Sequence, residues 1–131
     1  MRFSTLLTIA GTLAILFALA FLLAPAPTLA QYGAPPDPAA VLMSRYFGVA
    51  LLHLGVLLWL ARQVEDLLAR RAIAIAGVVG SLGGLLVALS AVLGHLVNAL
   101  GWSTVVIYLA LLLGYGSVLG PSRVGRAPGR P

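Results

Sequence analysis

The sequence predicts an all-α, polytopic membrane protein: a four-transmembrane-helix bundle with both termini on the cytoplasmic side. Three observations predict it. Of 131 residues 61% are apolar and only 8% charged, against roughly 25% charged residues in a soluble domain. The stretches between the charges are long enough to hold the ~20 apolar residues that cross a hydrocarbon core of ~30 Å. The arginines fall almost entirely on one side of the spans so defined. The mean hydropathy of +1.08 agrees. Residues 1–120 are read as one transmembrane domain and 121–131 as a separate tail.

The first span, residues 5–24, is the dense part of the uncharged stretch between Arg2 and Asp37. An alternative bears on it. Arg2, the apolar run and Thr28-Leu29-Ala30 before Gln31 have the outline of a secretory signal. The apolar part exceeds the 7–15 residues of a signal core, which favours a retained span. Cleavage near residue 30 would leave three spans. Residues 24–38 hold five prolines and Gly33, a composition that predicts an extended linker.

The second span, 43–61, belongs to a helix that starts at Asp37-Pro38, because Asp caps well and Pro suits the first helical position. The connector Arg62 to Arg71 contains Glu65 and Asp66. The plain expectation is an ordinary charged connector that fixes topology; the i,i+4 pairs Arg62–Asp66 and Asp66–Arg70 suit a short salt-bridged helical extension as the alternative. From Ala72 to Ser122 there are 51 residues without Asp, Glu, Lys or Arg. That is two spans, 72–93 and 103–120, around turn chemistry at Gly94 to Gly101. The tail holds three arginines and three prolines. It is expected to be disordered and drawn to anionic headgroups.

Four spans place seven arginines on one face and Arg45 alone on the other. The positive-inside rule then sets an N-in, C-in topology. Tyr46, Phe47 and Trp102 are expected at the outer interface, with Phe3, Trp59 and Tyr115 toward the inner one. The pI near 10.8 reports this topology and not a nucleic-acid partner, for which no folded basic face is visible.

Helices associate in lipid through small residues. Span three carries Ala72, Ala76, Gly80, Gly84 and Ala88 at four-residue spacing, with Gly77 and Ser81 alongside. Ala76, Gly80, Gly84 and Ala88 are therefore read as packing residues, with spans one and four against span three. Homo-oligomerisation through the same stripe is the sharper alternative.

Candidate chemistry is sparse. There is no cysteine, which removes disulfides, thiolate metal sites and a catalytic thiol. No Asp or Glu falls inside a span, which argues against carboxylate-driven transport and metal-dependent hydrolysis. His53 is the one ionisable side chain at depth, a default pointer to function. The plain expectation for it is a hydrogen bond to a hydroxyl of a neighbouring helix. The sharper one is contact with a ligand, quinone or lipid headgroup. Arg45, Tyr46, His95 and Asn98 complete the candidate contact set, with helix capping as the plainer role of Asn98 and headgroup snorkelling that of Arg45. Bis-histidine haem ligation would require His53 and His95 at one depth, and their positions separate them. Neither cofactor nor metal is expected.

The segments Arg45-Tyr46-Phe47-Gly48 through Leu60-Ala61-Arg62, and Asn98 through Thr104, resemble small four-helix bacterial membrane proteins of uncharacterised role. The resemblance implies a fold and a compartment, the bacterial cytoplasmic (inner) membrane, and brings no activity or site residues. The leading expectation is a non-enzymatic structural or accessory subunit, its partners the bilayer and another membrane protein or a second copy. The alternative is a binding or transport module for a lipid, quinone or apolar small molecule, and a haem-binding redox protein ranks third.

Overall fold

A computed structural model describes residues 2–120; the tail expected at 121–131 lies outside them. The described residues are helical, without strands, in the order α1 (Phe3–Leu23), α2 (Pro25–Gln31), α3 (Pro38–Ala61), α4 (Leu67–Leu93) and α5 (Gly101–Leu119). All but α2 are long and apolar enough to cross a membrane.

Each boundary has a local cause. Asp37 caps α3, its carboxylate accepting from the amides of Ala39 at 2.9 Å and Ala40 at 3.0 Å, with Pro38 in the first turn. Asp66 caps α4 in the same way, accepting from Ala69 N at 2.7 Å. Asp66 is thus a helix cap and not the centre of the alternative ion-pair ladder. Arg62 lies over the Trp59 ring at 4.1 Å and Arg70 over the Phe3 ring at 4.5 Å. An aromatic face offers a cation attraction without taking Asp66 away from the orphan amides of α4.

The proline-rich linker is corrected too, because its first half is the helix α2. Pro25 and Pro27 both fall in its first turn, where the missing N–H groups would have had no helical acceptor.

The four long helices form two antiparallel hairpins, α1 with α3 and α4 with α5, with only slight contact between α1 and α5. Span one therefore packs on span two, not on span three as expected, while span four does pack on span three. Close approach of backbones sets the first hairpin. A Cβ on Gly55 would stand 3.0 Å from the Gly11 carbonyl, and one on Gly11 3.0 Å from that of Gly55. Seven residues along, Gly48 meets the Ala18 carbonyl at 3.2 Å by the same measure. In the second hairpin two tyrosines fill two glycine notches: Tyr115 lies against Gly77 and Tyr108 against Gly84. The seven-residue interval is the same on both helices, as antiparallel heptad packing requires.

The hairpins share a core at the end that carries Arg2, Arg62 and Arg70. Phe3, Leu6, Leu7, Ala10, Leu58, Ala61, Ala74 and Tyr115 form one buried cluster there. Phe3 and Tyr115 are thus core residues and not members of an aromatic belt.

Candidate functional site

Within the spans, most hydroxyl groups are answered by their own helix. Thr8, Thr12 and Ser44 donate to the carbonyls of Ser4, Thr8 and Ala40 at 2.6–2.8 Å. Ser90, Ser103 and Ser117 donate to carbonyls three residues back at 2.6–2.8 Å. A short hydroxyl reaches a preceding carbonyl without leaving the helix surface.

His53 lies on the exposed side of α3 and makes none of the side-chain hydrogen bonds found among the described residues. The expected bond to a neighbouring helix is therefore absent from the chain itself. The reason is rotational. The α1-facing side of α3 is fixed by Ser44, Gly48, Gly55 and Leu58, and His53 projects nearly opposite. At 1.5 Å per residue it sits about 12 Å from the Ala61 end of a helix that runs from Pro38 to Ala61.

Arg45 and Tyr46 are exposed as well. Arg45 precedes His53 by eight residues, which separates them by about 12 Å along the axis and 80° around it. They do not share a cleft.

His95 and Asn98 belong to the turn between α4 and α5, and their roles are architectural. His95 has φ 54° and ends α4 in the left-handed conformation usually given to glycine. Its amide donates to Val92 at 3.1 Å and that of Leu96 to Ala91 at 2.9 Å. This hydrogen-bond pair satisfies carbonyls that a helix end leaves open. Gly33, at φ 76°, closes α2 in the same way, with Gly33 N bonded to Ala30 and Ala34 N to Leu29.

Asn98 ties these two turns together. Its backbone amide donates to Tyr32 O at 2.9 Å and its Nδ2 to Gln31 O at 2.7 Å. Its Oδ1 accepts from the amide of Leu100, the residue that caps the start of α5, at 3.0 Å. Thr104 adds a bond to the Tyr32 hydroxyl at 3.4 Å. Sequence reasoning missed Tyr32 as a partner of Asn98, since 67 residues part Gln31 from Asn98 and no local pattern joins them. An open crevice of about 370 Å³ beside the turn is lined by apolar side chains with His95, Asn98 and Trp102. Arg45 is not part of it.

Of the packing residues expected on span three, Ala88 is buried and Gly84 receives Tyr108, whereas Ala76 and Gly80 are exposed. A Cβ added to Gly80 would meet nothing within 4 Å. No protein-family model, curated protein or solved structure matches the chain.

Proposed function

We propose that the chain is a small, non-enzymatic multi-pass protein of a bacterial cytoplasmic membrane, acting as a structural or accessory subunit through lateral contacts in the bilayer. The observation that carries this reading is the direction of its polar groups. Catalysis and transport need such groups to converge inside the fold. Here the buried faces of the spans hold Ala, Gly, Val, Leu, Phe and Tyr, with Ser44 and Ser81 the hydroxyl-bearing aliphatic residues among them. His53, the ionisable group at depth, is turned outward. The bacterial membrane is supported by the one-sided arginines, by arginine as the sole strong base, and by the resemblance of the α3 and α5 segments to small bacterial membrane proteins.

A lipid, quinone or small-molecule module is less well supported, since Arg45, His53 and His95 point into no common cavity. Haem ligation by both histidines meets a similar obstacle: His95 ends α4 at the end of the bundle where α3 begins, whereas His53 lies about fifteen residues beyond Pro38 along α3, roughly 22 Å deeper. The reading is tested by affinity purification in mild detergent, with mass spectrometry and in-membrane cross-linking. A stoichiometric membrane-protein partner or a self-assembly is the expected result. A chain that is monomeric in the membrane and purifies alone overturns it.

A further inference from the structure

The exposed side of α3 carries His53, which has no hydrogen-bond partner among the described residues. Leu42, Tyr46, Val49, His53, Val56 and Leu60 recur at alternating spacings of four and three, and all six are exposed. They line the side opposite the Gly48–Gly55 face that α1 already occupies, so a second helix can lie along them without displacing α1. The hydrocarbon of a bilayer offers the His53 imidazole no hydrogen-bond partner. Ionisable side chains within spans almost always face protein or a water-filled cavity.

We infer that this α3 face is the docking surface for a second copy of the same chain, with His53 hydrogen-bonded to His53 of that copy near the middle of the bilayer. Two features select a second copy over another occupant. A neutral imidazole has one N–H donor and one bare nitrogen acceptor, so it complements itself. The one-sided arginines carry every copy into the membrane in the same orientation. Two parallel α3 helices related by a twofold axis therefore place both imidazoles at the same depth, with Val49 and Val56 against their counterparts. The inference rests on the lateral-contact reading above and gives it a partner.

The absence of cysteine makes the test direct. Val49→Cys and Val56→Cys are placed on the seam, and Val79→Cys on the exposed side of α4, and each is oxidised in native membranes. Disulfide-linked species at twice the 13.5 kDa chain mass are expected at positions 49 and 56 and not at 79. His53→Leu, combined with Val56→Cys, is expected to weaken association roughly three- to tenfold, the range for a hydrogen bond between spans. His53→Gln, which keeps a donor and an acceptor, restores it. Equal cross-linking at all three positions, or none at 49 and 56, overturns the inference. So does a His53→Leu variant that dimerises as well as the parent. An adduct with a different membrane protein at position 56 removes the second copy as partner but leaves the lateral-contact reading standing. A lone monomer removes both.

Discussion

A methyl group at Gly55 has nowhere to go, because its position lies 2.6 Å from Ile15 Cγ1 and 3.0 Å from a backbone carbonyl of α1. The side chain can rotate away, but the carbonyl cannot. Gly55→Leu is expected to prise α1 from α3 and cost about 1–3 kcal/mol, read as a lower midpoint in denaturant titration of the detergent-solubilised protein. Gly83, where a Cβ meets nothing within 4 Å, is the control. Gly83→Leu should leave that midpoint unchanged or raise it, since glycine is the poorer helix former. The same distinction separates the two histidines. His95 is held in a left-handed turn that shapes the end of α4, whereas His53 lies exposed on α3 and bonds to no other described residue.

Among the elements, α4 shows how spacing decides which residues pack. Steps of four advance each residue about 40° around the helix. The stripe from Ala72 through Ala88 therefore winds off the interface, and only Gly84 and Ala88 reach it. The face that meets α5 is Ala74, Gly77, Ser81, Gly84 and Ala88, stepping three and four so that it drifts little. Gly77 and Ser81 were visible beside the stripe, but small residues alone do not reveal which tyrosines will fill them. The connection between hairpins at the far end depends on Asn98. Asn98→Ala removes the side-chain bonds to Gln31 and Leu100, worth about 1 kcal/mol each. Faster amide exchange at Leu100 and around residues 31–34 is expected, with the interior of α3 unchanged. Equal protection in the variant and the parent would mean that the two turns hold without this tie.

For the molecule as a whole, charge placement makes a sharp prediction about orientation. The connector at Gln63 and the loop at Pro36 lie at opposite ends of α3 and are both exposed. Gln63→Cys is expected to react with an impermeant maleimide only after the membrane is opened, and Pro36→Cys in intact cells. The reverse pattern would contradict the N-in, C-in topology. The shared core of Phe3, Leu6, Leu7 and their neighbours lies at the arginine end, so the two hairpins are fastened by packing there and by Asn98 at the other.

The number of spans, their helical type and the cap at Asp37 are determined by the sequence itself, because span length, hydrophobicity and an Asp-Pro start are local properties of the chain; the cap at Asp66 was masked by the arginines four residues to either side. The existence of α2 was obscured by its prolines, whose effect depends on whether they fall in a first turn or later. Pairing α1 with α3 and α4 with α5, seating Tyr108 and Tyr115 in glycine notches, and turning His53 outward were decided only by the tertiary structure. Each depends on how far one helix is rotated against another, and small residues on several faces permit many rotations. The bulk of the partner helix and the closest approach of its backbone select one.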